Sequence, residues 1–240
     1  MSTISLLNNS KTMAAILMAF VLAAPVTAAS IANSGFEDPV MSSNFQIIPN
    51  EQSFGAWEVI NNSVLMLRSD YYEFYGGPQI PFVSHAGNQH LDISGAGNTG
   101  NAGVQQWIDT DPGSWYRLSF WVGNQDNDSH AYYTQSSSIR LLIDGDDLGT
   151  FTNADSTVGA MNWKLFSYRF MAQNALTLVT FVNATSGDNM AGLDDVSIAH
   201  TPEPSTWVMI VSSGLLMLLA RSRRLQAAQC YRRAASRFSR

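Results

Sequence analysis

"GVQQWIDTDPGSWYRLSFWVGN", residues 103–124, reads as two strands and the corner that joins them. Successive side chains of a strand point to opposite faces, so Tyr116, Leu118, Phe120 and Val122 share one face. "DPGSW" at 111–115 carries the Asp, Pro, Gly and Ser that favour a turn. The same alternation spreads outward along the chain. Further strands are predicted at 88–93, 137–144, 147–152, 163–172, 175–184 and 193–200, with "DGDD" at 144–147 as a hairpin turn. Leu176, Leu178, Thr180 and Val182 form a second shared face. No stretch sustains a 3.6-residue amphipathic period over three turns. Eight short strands at this spacing predict an all-β, antiparallel sandwich. The less regular region 40–87 is expected to hold long loops.

Charge is partitioned. Of the 240 residues, 13 are Lys or Arg and 19 are Asp or Glu. Between Ile31 and His200 five basic residues (Arg68, Arg117, Arg140, Lys164, Arg169) face eighteen acids, a balance of −13. After Ala220 there are seven arginines and no acid. So acidic a body argues against binding nucleic acid, which needs clustered Lys and Arg. The single cysteine, Cys230, lies in the basic tail, so the body has no internal disulfide and must be held by its core.

Both ends read as addresses. Lys11, the apolar "MAAILMAFVLAAPV" at 13–26 and the small residues "TAAS" at 27–30 follow the plan of a signal peptide over 1–29, cut after Ala28 or Ala29. The secretion machinery is therefore an expected partner. At the other end "WVMIVSSGLLMLLA", 207–220, would be about 21 Å long as a helix, against an apolar bilayer core of about 30 Å. Arg221, Arg223 and Arg224 would hold its C-terminal side in the cytoplasm. Pro202 and Pro204 keep the preceding segment extended and open to a processing enzyme.

Pro202-Glu203-Pro204-Ser205, the short apolar run and the arginine cluster, in that order over 201–224, resemble the PEP-CTERM sorting signal of exopolysaccharide-producing Gram-negative bacteria. The resemblance implies processing by an exosortase after an inner-membrane intermediate held by 207–220. The destination would be the cell surface or the extracellular matrix. In that family the chain usually ends within a few residues of the arginines. Here a basic tail, 225–240, continues.

The order "IANSGFEDP" (31–39), "GAWEV" (55–59), "GNQHLDISG" (87–95), residues 103–124, 162–183 and the closing "GLDDVSI" (192–198) resembles galactose-binding-domain-like jelly rolls. These occur among bacterial carbohydrate-binding modules and plant cell-wall proteins. The resemblance spans nearly all of 30–200 and implies a jelly-roll sandwich there. It also implies a structural calcium ion tying the first strand to the last, at Glu37 of "NSGFEDP" and Asp194 of "LDDV". Strand alternation places Asp194 on one row with Val196 and Ile198, facing the core. An inward carboxylate needs a cation or several donors, so calcium and loop amides are both open to it. "NQDND" (124–128) and "DGDD" lack the spacing of a calcium loop and read as solvated turns.

Sugar rings present C–H faces that stack on aromatic planes, and hydroxyls that need polar partners. Strand aromatics such as Trp121 are expected in the core. The loop tyrosines Tyr71, Tyr72 and Tyr75 of "DYYEFYGG", and Tyr132 and Tyr133 of "HAYYTQ", are the candidate ligand surface. His85 and His90, five apart, are expected on opposite faces of a strand. The chain lacks the zinc-protease, serine-hydrolase and phosphate-loop motifs. These readings converge on an exported, non-catalytic glycan-binding or structural protein of the surface or exopolysaccharide matrix. A polysaccharide hydrolase on the same scaffold is the alternative.

Overall fold

The computed structural model describes residues 28–73, 79–95, 100–126, 133, 136–186, 189–201, 212–217 and 220–221. Fourteen strands form among them: β1 Phe45–Ile48, β2 Ser53–Phe54, β3 Trp57–Ile60, β4 Val64–Arg68, β5 Tyr72–Glu73, β6 Ile80–Pro81 and β7 Gln89–Asp92 come first. β8 Gly103–Asp109, β9 Trp115–Asp126, β10 Ser137–Ile143, β11 Asp146–Asn153, β12 Ala160–Met171, β13 Leu176–Asn183 and β14 Gly192–His200 follow. One six-stranded sheet has the order β1-β4-β7-β14-β9-β12 and the other β11-β10-β13-β8-β3-β2. All pairings within them are antiparallel. From β7 to β10 and again from β11 to β14 the chain changes sheet at every connection, the winding of a jelly roll.

The predicted face of β9 is buried throughout: Tyr116, Leu118, Phe120 and Val122 meet Val104, Ile139, Leu141, Val179 and Phe181 from the facing sheet. On β13 Val179 and Phe181 fill the core, and the row Leu176, Leu178, Thr180, Val182 lies on the other face of the sheet, where Leu176 is exposed and Thr180 and Val182 are buried. Gly113, at φ +80°, closes the β8–β9 corner. Asp144 and Gly145, at φ +51° and +88°, make the two-residue hairpin between β10 and β11.

Two corrections concern the regular structure. Region 40–87 holds six strands, β1 to β6, too short for a periodic pattern to show. Second, Asp194 does not share the core row with Val196. β14 carries a bulge between Asp194 and Ser197, with Asp195 at φ +46°, and the extra residue reverses the facing. Leu193 pairs with Val122 and enters the core, whereas Asp194 pairs with Trp121 on the outer face.

Outside the first sheet lies a second, smaller core of Leu67, Ile80, Phe82 and Met190, rimmed by Leu65, Tyr71, Tyr133 and Met161. The β5–β6 hairpin and residues 82–86 lie over the sheet here, and Trp163 Nε1 donates to Val83 O at 2.9 Å. Glycines make room for this indole. A Cβ on Gly123 would stand 2.2 Å from Met161 Cε and 2.8 Å from Trp163, and one on Gly192 would stand 3.0 Å from Gly123 Cα. Met161 can swing aside; the ring cannot. Gly123→Ala is therefore expected to cost about 1–3 kcal/mol through overpacking, read by urea unfolding. An unchanged urea midpoint would show that Trp163 is not seated on these glycines.

Of the sorting segment, 202–211, 218–219 and 222–224 lie outside the described residues, as do 1–27 and 225–240. Residues 212–217 are helical and exposed. Among the described residues no helix is long and apolar enough to cross a membrane.

Candidate functional site

The segment 31–41 wraps one edge of the sandwich because two buried glutamines hold its backbone. Gln106 exchanges hydrogen bonds with Ala32 N and O, and Gln89 binds Phe36 O, Pro39 O and Met41 N. This sets Glu37 beside the loop before β7, where its Oε1 accepts from Asn88 N at 2.7 Å and Gln89 N at 2.9 Å. Asp194, fully buried, accepts from His85 N, Ala86 N and Asp195 N at 2.8–3.2 Å. Asp195 binds His85 Nδ1 at 2.6 Å.

Two of the acids turn their carboxylates toward Gly35: a Cβ there would lie 3.5 Å from Asp195 Oδ1 and 3.7 Å from Asp194 Oδ1. Glu37 comes near with its Cγ, at 4.0 Å, and aims its carboxylate at Gly87. Loop amides thus supply the donors that a buried carboxylate needs, yet they do not neutralise it. Burial, aided by the Asp195 charge, pushes the Asp194 carboxyl up to about 7 against three opposing backbone hydrogen bonds. Among the described residues no three His, Cys, Asp or Glu side chains stand together as a metal-binding group. Calcium would need Glu37 and Asp194 together with backbone carbonyls, and the under-compensated negative charge around Gly35 suits that ion. A cleft of about 250 Å³ lies alongside, lined by Arg68, Ser69, Asp70, Gly87 and Asn88.

The tyrosines divide. Tyr71 stacks on Phe82 with ring centres 5.3 Å apart, and Tyr133 meets the same ring edge-on at 5.9 Å. These two have a core role after all, as rim residues of the smaller core. Tyr72 is exposed, and Tyr75 and Tyr132 lie outside the described residues. The histidines also differ from expectation: His85 and His90 both approach Trp163, at 6.1 and 5.4 Å. His85 stacks on Trp121 at 3.7 Å, which explains why that strand tryptophan is half-buried on the outer face. His90 is fully buried, with Nδ1 3.0 Å from Ser84 Oγ and its basicity lowered to a pKa of about 3 by burial.

The feature missed by sequence reading is on the opposite sheet. Trp107 projects outward from β8 and is 59% exposed. Around it on the outer face stand Leu178, its cross-strand partner, and Gln105, two residues along the same strand. Gln105 Nε2 donates to Glu58 Oε2 at 2.9 Å, and the next partners across the face are Thr180 and Leu142. An indole beside an amide and a carboxylate offers both a stacking plane and hydrogen-bonding groups for a polyol ring. The signal was present: alternation within "GVQQWID" sets Trp107 opposite to Val104 and Ile108.

No protein-family model matches the chain, and no curated protein matches it. Among solved structures it is similar to a family 35 carbohydrate-binding module from Clostridium thermocellum, at 10% identity and TM-score 0.38, over 65% of this chain and 98% of that one. It is also similar to a structure described as CBM4, at 14% identity and TM-score 0.36, over 70% and 98%. The isomalto-dextranase of Arthrobacter globiformis T6, complexed with panose, is similar at 13% identity and TM-score 0.38. That match covers 65% of this chain, which spans only 23% of the enzyme.

Proposed function

We propose that this chain is an exported glycan-binding protein that does no chemistry on its ligand, and that the outer face of β8 and β13 around Trp107 is its binding surface. The observation that carries the reading is the exposed indole of Trp107, held on a rigid strand with Gln105 and Glu58 around it. A tryptophan left 59% exposed forgoes burial that a core position would gain, and a sugar ring stacked on it restores that burial. Calcium held by Glu37 and Asp194 would fix the 31–41 segment against β14 and leave the binding face untouched. The signal peptide at 1–29 would route the chain out of the cytoplasm. An exosortase would then act near Pro202-Glu203-Pro204, placing 30–200 at the surface or in the exopolysaccharide of a Gram-negative host.

Titration of the purified chain with the host's own exopolysaccharide tests the binding. Saturable binding without release of new sugar ends is expected. Turnover that disappears on replacing an acid pair would establish the hydrolase instead, and flat titrations would leave a structural matrix protein. For the sorting, mass spectrometry of protein recovered from the host envelope and medium should find a C-terminus near Pro202–Pro204 that lacks Trp207 onward. Protein retaining 207–240 in the inner membrane would overturn that part.

A further inference from the structure

The outer face of the first sheet carries a charge arrangement that the fold does not account for. Three of the body's five basic side chains sit beside acids: Arg68 beside Asp70, Arg140 beside Asp147 and Lys164 beside Asp155. Arg117 on β9 and Arg169 on β12 form no ion pair with any described residue, although eighteen acids share the body with them. They are directly opposed cross-strand partners, both exposed and on the same face. Like charges placed opposite one another destabilise a sheet, so the structure bears this pair at a cost.

The surroundings are built as a floor. On the next row Ser167, Ser119 and Ser197 are partners across β12, β9 and β14, and Ala199 continues the arginine row onto β14. One end of the band is marked by Trp115, whose ring lies 5.4 Å below the Arg169 guanidinium and limits how that group can turn. The other end is marked by exposed Leu165 beside Trp121. Small hydroxylated side chains beside two guanidinium groups that have no acidic partner among the described residues leave an open strip, bounded by Trp115 at one end and by Leu165 and Trp121 at the other.

We propose that this strip, on the sheet opposite Trp107, binds a polysaccharide carrying carboxylates, with Arg117 and Arg169 each taking a carboxylate and the serine row taking ring hydroxyls. A guanidinium presents paired N–H donors that match a carboxylate's two oxygens, which a lysine cannot do. Nucleic acid suits the strip poorly. Its charge density far exceeds one acid per sugar ring, and two arginines do not offset a body of −13. This inference stands on the arginine pair and does not need the Trp107 face.

The test uses the full-length chain, with polygalacturonate as probe and the same polymer reduced at its carboxyls as control. Binding to polygalacturonate alone is expected, weakening steeply between 50 mM and 500 mM salt, roughly as the Debye length shrinks. Arg117→Gln and Arg169→Gln are each expected to weaken it about tenfold, and the double variant to abolish it, with melting temperature unchanged or raised. Trp107→Ala should leave polygalacturonate binding intact, so failure here and failure of the Trp107 reading are separable. Equal binding to the reduced polymer, unchanged binding by the double glutamine variant, or tighter binding to dextran sulfate or to DNA would each overturn the assignment.

Discussion

Adding calcium to the chelated protein at pH 7.5 is expected to raise its melting temperature by about 10 °C, and by much less at pH 5. The reason is Asp194, whose folded-state pKa of about 7 stands above the ordinary 3.8 because the carboxyl is buried. A folded carboxyl that holds its proton more tightly than the unfolded one contributes no cost below about pH 4. The cost grows as pH rises from there to about 7 and is then complete, at about 4 kcal/mol. A domain of this size shifts by about 2–4 °C per kcal/mol. Calcium binding to the ionised site would offset that cost and add its own mass-action term.

His90 runs the other way, and the two must be separated. Its folded-state pKa is lowered to about 3 from 6.5, so the folded ring stays neutral while the unfolded one takes up a proton. That contribution is absent above about pH 6.5 and destabilises increasingly as pH falls, by about 2 kcal/mol at pH 5. In chelator the Asp194 and His90 slopes oppose each other between about pH 4 and 6.5, and the melting temperature should change little there. With calcium bound the His90 slope remains, so acidification should destabilise. His90→Phe should remove that acid sensitivity, and in chelator it should make the protein melt higher at pH 5 than at pH 7. Identical melting temperatures with calcium and chelator at pH 7.5 would sink the calcium clamp. An acid response untouched by His90→Phe would sink the neutral histidine.

These residues show where sequence reading runs out. The alternation of Tyr116, Leu118, Phe120 and Val122 was enough to give β9, and its neighbours gave an antiparallel sandwich, because period two and turn residues are local signals. The facing of Asp194 was not legible. One bulge residue reverses a whole strand's parity, and nothing in "LDDVSI" marks Asp195 as that residue. The smaller core was hidden for a different reason: it unites residues from 65 to 190 whose contacts are all long-range. Tyr71 and Tyr133 therefore looked like free loop tyrosines. Trp107 was misjudged through a general expectation that strand tryptophans are core. Parity within its own strand pointed outward, and exposure on a two-layer sandwich follows from parity.

Trp107→Ala is expected to weaken binding of the host's polysaccharide about thirtyfold or more while moving the melting temperature by no more than about 2 °C. The two halves of that expectation come from one number, the 59% exposure of the ring. An exposed indole loses little folding energy on truncation, because its contacts are confined to neighbours such as Leu178 on the same face. A ligand stacked on it would lose its largest apolar contact, and central tryptophans of this kind cost about 2 kcal/mol or more when truncated, which is the thirtyfold. Trp57→Ala is the control for mere unfolding. That indole is fully buried, with Nε1 donating to Asn33 O at 3.0 Å, and its loss should cost about 3–5 kcal/mol and take binding with it. Trp107→Phe keeps a smaller plane and should recover part of the affinity. Gln105→Ala should cost less than Trp107→Ala, because it removes directional bonds that water can replace. If Trp107→Ala binds as tightly as the parent chain, the β8–β13 face is not the glycan surface.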